Sequence, residues 1–191
     1  MTERLQNALD LLRAGGVVGT PTDTVYGIAA DPRRADAVAL LFTLKGRRGT
    51  KPIGLLLANS DEVLSQVELP LYALEWTEQY WPGPLTLVAR ALGTLPDGVG
   101  DRRRRTVGVR VPNHPVALEL LGAFGPLAVT SANLAGAPET RNEVEAGAAL
   151  GDRVAFYLPG TCPGLVASTV VDVSRAKPRI LRPGALELDL G

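Results

Sequence analysis

Cysteine and histidine are each present once in this 191-residue chain, and aromatic residues make up only 5% of it. Cys162 alone excludes an internal disulfide, and with His114 the only imidazole there is no cluster with the spacing of a zinc site. Any metal is therefore expected to be Mg2+ carried in with a nucleotide. No stretch of about 18 or more uncharged apolar residues is present, so the sequence predicts no membrane span. The opening segment from Met1 to Leu5 lacks the basic stretch and apolar block of a secretory signal. The expected location is the cytoplasm, with no membrane partner. Net charge is missing too: 20 basic residues balance 20 acidic ones, which removes the electrostatic reason to coat nucleic acid nonspecifically.

What is there suits a folded domain. A hydrophobic content of 46% over this length can bury one substantial core, and we expect one domain spanning residues 1–191. Charge is unevenly placed. Lys45, Arg47, Arg48 and Lys51 share one short segment, Arg102 to Arg105 another, and acids gather at Glu62, Glu68, Glu75 and Glu78. Local basic clusters on a neutral protein fit a small anion better than a long polyanion.

Leu5, Leu9 and Leu12 recur at helical spacing and stop at Gly15–Gly16, predicting an opening helix. Val17–Val18 starts a strand, 25–29 reads as a second, and 35–45 as a helix. Residues 53–57 form an apolar run too short for a helix and read as a buried strand, followed by a helix that Ser60 would cap. A helix after Pro70 must end before Pro82-Gly83-Pro84. Strands are expected at 85–89, 107–111, 127–129, 154–158, 169–173 and 179–181, with helices at 115–121 and 143–150. Strands and helices intermix without strict alternation, which predicts an α/β fold: a twisted mixed sheet flanked by helices.

Several segments carry candidate chemistry. Thr20-Pro21-Thr22-Asp23-Thr24-Val25-Tyr26-Gly27 lies just past a strand end, where α/β sheets hold ligands, although its hydroxyls also suit a self-bonded turn. In Lys45-Gly46-Arg47-Arg48-Gly49-Thr50-Lys51-Pro52, glycines let the backbone approach a ligand while cations neutralise phosphate; the Walker pattern is absent, and the charges also suit a solvated helix end. Ser131-Ala132-Asn133 follows a buried strand. It lacks a nucleophile elbow, and His114 beside Pro115 is better placed to cap a helix than to act as a base, so ligand hydrogen bonding is the preferred reading. Arg110 interrupts an apolar strand and must point to solvent, a carboxylate or a bound anion; exposure is the simple expectation. Ser168-Thr169 precedes a strand and Arg182-Pro183-Gly184 follows one.

Taken together and in this order, these segments resemble the YrdC-like family of threonylcarbamoyl-AMP synthases. The motifs that carry the resemblance run from Thr20 to Gly184: Pro21-Thr22-Asp23-Thr24-Val25-Tyr26-Gly27, Lys45-x-Arg47 with Lys51-Pro52, Trp81-Pro82-Gly83-Pro84, Val109-Arg110-Val111-Pro112, Ser131-Ala132-Asn133 and Ser168-Thr169-Val170-Val171-Asp172. The resemblance implies a sheet curved around a basic cavity and a nucleotidyl transfer that turns L-threonine, bicarbonate and ATP into threonylcarbamoyl-AMP and pyrophosphate for the threonylcarbamoyladenosine modification of tRNA. It also implies roles. Thr22, Tyr26, Arg110 and Ser168 would hold threonine; Lys45, Arg47, Lys51, Thr106, Ser131, Asn133 and Arg182 would hold the nucleotide, with Lys45 and Arg47 closest to the chemistry. The product would pass to the machinery that transfers threonylcarbamoyl to tRNA.

The match has departures. Arg48 stands where relatives often have proline, Leu56 where longer relatives carry a histidine near threonine, and Ala167 where an acid is common. The sequence given stops soon after Gly184, without the extra carboxy-terminal domain of longer relatives. Two other readings stay open: a noncatalytic RNA- or tRNA-binding module, supported by the two basic clusters but not by charge balance or aromatics, and a YciO-type paralogue with another adenylated substrate.

Overall fold

This computed structural model describes residues 2–46, 52–164 and 166–190. Its elements follow as α1 (Glu3–Arg13), β1 (Val18–Thr20), β2 (Gly27–Ala30), α2 (Ala35–Leu44), β3 (Gly54–Leu56), α3 (Ser60–Gln66), β4 (Val67–Glu68), α4 (Leu71–Tyr80), β5 (Leu85–Ala91), β6 (Thr106–Arg110), α5 (Pro115–Phe124), β7 (Leu127–Ser131), α6 (Glu143–Leu150), β8 (Phe156–Tyr157), β9 (Thr169–Asp172) and β10 (Arg179–Arg182). A short 3-10 turn at Gly151–Arg153 follows α6.

The strands form one mixed sheet in the order β10-β9-β5-β6-β3-β7-β2-β1-β8, with β4 paired to β5. β1 with β8, β3 with β6 and β5 with β9 are parallel, and the other pairs are antiparallel. The expected α/β mixed sheet is therefore present. Among the described residues no helix is long and apolar enough to cross a membrane.

Local chemistry explains the helix ends. The Thr2 hydroxyl accepts from the Leu5 N–H at 3.3 Å, and α1 stops just before Gly15, whose φ of 90° is the left-handed conformation that ends helices. His114 Nδ1 accepts from the Val116 N–H at the start of α5, as a cap rather than a base. Asn59, not Ser60, caps α3: its side chain accepts from Glu62 N–H at 2.9 Å, which leaves Ser60 inside the first turn.

Strand alternation sends side chains to two different environments. One face packs Leu55, Leu87, Val107, Val109, Ala128 and Val171 against Val38, Leu41 and Leu44 of α2, Ala73 of α4, and Ala146 and Leu150 of α6. On the opposite face, Leu5, Leu9 and Leu12 of α1 and Leu120 and Leu121 of α5 pack with Val18, Ala29, Leu56, Leu127 and Leu158, and Val129 lies at the margin of that cluster. Beyond that margin, no helix among the described residues joins the cluster on this face, and there Gly54, Thr86, Val88, Gly108 and Val170 are half-buried, as is Val129 at the margin. Register confirms that they share a side, because Gly54 pairs with Val129, Val88 with Gly108 and Thr86 with Val170. A Cβ on Gly54 would lie 2.9 Å from the Gly108 carbonyl oxygen, so the neighbouring strand leaves no room for a side chain there, and Gly54 and Gly108 leave a bare, glycine-floored hollow in this part of the face.

The chain after β10 closes on one edge of the hollow. A Cβ on Gly184 would strike the Ala167 carbonyl oxygen and the Ser168 backbone inside van der Waals contact, whereas one on Gly122 in α5 would meet nothing. Gly184→Ala is expected to destabilise by about 1–3 kcal/mol through overpacking. Gly122→Ala is expected to stabilise by about 0.5–1 kcal/mol through helix propensity. Urea unfolding of both variants checks the contrast; equal shifts would contradict the packing described.

Candidate active site

Three hydrogen-bonded groups stand around the uncovered floor. The first lies at the end of β7. Lys45, buried just past α2, directs its ammonium to the Ser131 carbonyl at 2.7 Å, the Ser131 hydroxyl at 3.1 Å and Asn133 Oδ1. The Asn133 amide donates in turn to the Ala137 carbonyl at 2.6 Å, and the Ser131 hydroxyl donates to Asn133 Oδ1 at 2.7 Å. Ser131 and Asn133 thus hold a cation, and neither shows the geometry of an activated nucleophile: the one histidine is spent capping α5.

The second group surrounds Arg110 at the end of β6. The alternation expected from sequence is correct, since Arg110 points away from the face of Val107 and Val109. Its exposure is not: the residue is only 6% accessible. Its Nε donates to the Gly83 carbonyl and Nη1 to the Thr24 hydroxyl, both at 2.9 Å, and Nη2 forms an ion pair with Asp23 Oδ1. Asp23 Oδ1 also accepts from the Asn113 N–H at 2.9 Å. Burial lowers the Arg110 pKa, Asp23 opposes that shift, and the nearby charge of Arg182 adds to it. Arg110 and Arg182 therefore share a neighbourhood.

Arg182 and Ser168 make the third group. Nη2 of Arg182 donates to the Ser168 carbonyl at 2.8 Å and to its hydroxyl at 3.2 Å, and the Ser168 hydroxyl meets Thr86 Oγ1 at 2.8 Å. Burial lowers the Arg182 pKa, and the charge of Glu139 counteracts it. Thr86, which meets Ser168, lies on the same face of the sheet as Ser131, so the first and third groups border the same face.

Register measures the spread. Leu56 of β3 pairs with both Arg110 and Leu127, so Ser131 lies four residues along the sheet from the level of Arg110. At roughly 3.3 Å per residue the offset is about 13 Å, with both side chains on the uncovered face. Thr106, at the start of β6, is on that face too and lies at the level of Ser131 rather than Arg110, with 7% of its surface accessible. Leu56, Arg110's neighbour, is buried beneath α1 and α5.

Two expected ligand contacts have a different position. Tyr26 has no accessible surface; it points to the face opposite Gly27 and donates its hydroxyl to the Leu158 carbonyl at 2.5 Å. Burial raises its pKa. It can shape the amino-acid pocket only through the loop that it anchors. Thr22 is spent locally, its hydroxyl accepting from Thr24 and Val25 N–H at 3.2 Å and donating to the Val25 carbonyl at 2.7 Å, as in the self-bonded turn. Its own N–H faces the Cys162 sulfur at 3.4 Å, and burial pushes the Cys162 thiol up to about 11. Arg47, Arg48 and Lys51 lie outside the described residues.

Sequence reasoning gave no role to Asp23, Thr24, Gly83 or Thr86. Asp23 carried a signal: a buried strand arginine needs a carboxylate, and the loop that stood out for its hydroxyls contains one. Thr86 carried none, because one polar residue between Leu85 and Leu87 reads as ordinary strand alternation. In the Arg102–Arg105 run, Arg102 pairs with Asp97 and Arg104 with Asp101, so part of that charge is answered within its own loop.

Removing one partner of a buried ion pair strands the other charge. Asp23→Ala is expected to destabilise by about 3–5 kcal/mol, and the double variant Asp23→Ala/Arg110→Ala by less than the sum of the singles. Additive losses in urea unfolding would show that the pair is not coupled.

Comparisons agree with this geometry. A family model covering Sua5, YciO and YrdC proteins, described as "Telomere recombination", matches residues 10–184. A putative threonylcarbamoyl-AMP synthase of Mycobacterium tuberculosis is 42% identical over 96% of this chain and 85% of its own. The threonylcarbamoyl-AMP synthase of Halorhodospira halophila is 41% identical over 91% of each chain. Among solved structures, P. abyssi Sua5 complexed with L-threonine superposes with a TM-score of 0.88 at 32% identity, over 95% of this chain and 54% of that one. E. coli YciO superposes with a TM-score of 0.87 at 25% identity, over 96% and 90%. A hollow edged by Lys45, Arg110 and Arg182, a family match across most of the chain and relatives above 40% identity lead to one assignment: this chain belongs to the Sua5/YciO/YrdC family.

Proposed function

We propose that this protein is a threonylcarbamoyl-AMP synthase, a nucleotidyltransferase that joins L-threonine, bicarbonate and ATP and releases pyrophosphate, supplying the activated intermediate for threonylcarbamoyladenosine in tRNA. The observation that carries the reading is the gathering of Lys45, Arg110 and Arg182 around one uncovered, glycine-floored sheet face. The names of the relatives support the same activity, and the threonine-bound Sua5 structure supports the amino acid.

In this reading the threonine nitrogen and bicarbonate form a carbamate with loss of water. A carbamate oxygen then attacks the α-phosphorus of ATP, the bond to the bridging oxygen breaks, and that oxygen leaves with pyrophosphate. The nucleophile is weak and its target anionic, so alignment and fixed positive charge are what the protein must supply. Arg110 holds the carboxylate end. Lys45, fixed by Ser131 and Asn133, stands at the level of Ser131, offset from Arg110 by about 13 Å along the strands, where the phosphates would lie, and Arg182 with Ser168 closes the third side. Mg2+ would accompany the phosphates of ATP and offset their charge; among the described residues no three His, Cys, Asp or Glu side chains gather to hold an ion.

Purified protein given L-threonine, bicarbonate, Mg2+ and ATP is expected to release pyrophosphate only when threonine is present. Arg110→Ala is expected to raise the threonine requirement far more than that for ATP. Lys45→Ala is expected to lower turnover by about 100- to 1,000-fold. Pyrophosphate release indifferent to threonine would contradict the assignment.

A further inference from the structure

Asp23 has one oxygen more than its structural task requires. Oδ1 takes both the Arg110 ion pair and the Asn113 N–H, while Oδ2 takes no hydrogen bond from the described residues. Among the described residues no buried side-chain oxygen or nitrogen lacks a partner, so Oδ2 is not sealed in; it is reachable from outside. Arg110 mirrors this. Three of the five guanidinium N–H groups are used on Gly83, Thr24 and Asp23, which leaves one on each Nη. A spare acceptor and spare donors therefore stand side by side on one mostly buried pair.

Charge balance says what such a pair can take. Arg110 and Asp23 already neutralise each other, so a bare carboxylate docked on Arg110 would leave a net negative charge at a desolvated place. A zwitterion leaves none. Arg182 adds positive charge nearby, and Glu139 answers it.

Resting on the proposed function, we infer that Asp23 is a specificity residue: its Oδ2 receives the α-ammonium group of the amino acid while the remaining N–H groups of Arg110 receive the carboxylate. The pair thus reads the zwitterion of an α-amino acid. Conversion of that nitrogen to a carbamate removes its positive charge and with it the attraction to Asp23, so the contact favours the incoming amino acid over the carbamoylated one.

Calorimetric binding of L-threonine and of 3-hydroxybutyrate, which lacks only the amino group, tests this in wild type and in Asp23→Asn. The amide keeps Oδ1 for Arg110 and Asn113 and replaces Oδ2 with a donor. Wild type is expected to prefer threonine by about 10- to 100-fold, the worth of one hydrogen bond to a charged group. Asp23→Asn is expected to lose most of that preference by weakening threonine alone. Equal weakening of both ligands would reduce Asp23 to a support for Arg110 and overturn the inference while leaving the proposed function standing. The wild-type ratio does not depend on how the variant folds, and equal wild-type affinity for both ligands overturns the inference as well. Wild type that binds ATP but neither of these ligands would overturn the amino-acid half of the proposed function itself.

Discussion

A guanidinium buried inside a β-sheet is the constraint on which the rest of this molecule turns. Arg110 belongs to an apolar strand, and its charge is tolerable there only because Asp23, Thr24 and Gly83 supply oxygens from elsewhere in the chain. Satisfying one side chain thus fixes the turn between β1 and β2, the turn before β5 and the end of β6 relative to one another. Gly164 presses against Asp23 and Thr24 from the far side, where a Cβ would come within 2.6 Å of the Asp23 carbonyl oxygen, so the loop after β8 joins the same knot. The positioning of the site and the stability of the fold are here one set of contacts.

The sheet that carries this knot is covered unequally. Helices pack on one face and on part of the other, and what is left open has small or half-buried residues at its floor and cations at its rim. Each cation is held by oxygens of a different segment: Lys45 by Ser131 and Asn133, Arg110 by Asp23 and its neighbours, Arg182 by Ser168. Held side chains need little reordering when an anion arrives, which is what electrostatic catalysis without a general base requires. The lone histidine and the lone cysteine stay outside this chemistry. One caps α5, and burial keeps the other protonated.

Much of this was legible in the sequence. Apolar periodicity placed the helices and most strands, and the mixed order of elements gave the fold class. The motif segments led to Lys45, Arg110, Ser131, Asn133, Ser168 and Arg182, which the structure gathers around one hollow. What the sequence did not carry was partnership. Arg110 and Asp23 are 87 residues apart, and no local pattern says which acid meets a buried base. The same gap made Tyr26 look like a pocket wall, because its hydroxyl's partner, the Leu158 carbonyl, lies 132 residues away. Strand alternation gave Arg110 its direction, but burial depends on what packs above a strand, and that is a tertiary property. The shift of the α3 cap from Ser60 to Asn59 is smaller: both residues cap well, and only geometry selects between them.

The central claim is that one open sheet face holds a nucleotide and an amino acid together. A crystal structure with L-threonine and a non-hydrolysable ATP analogue tests it most directly. The account expects both ligands over the Gly54–Gly108 floor, the carboxylate at Arg110 and the phosphates toward Lys45 and Ser131. Ligands bound instead in the separate cavity lined by Gly93, Thr94, Leu95, Arg102 and Arg105, or on faces remote from each other, would contradict it.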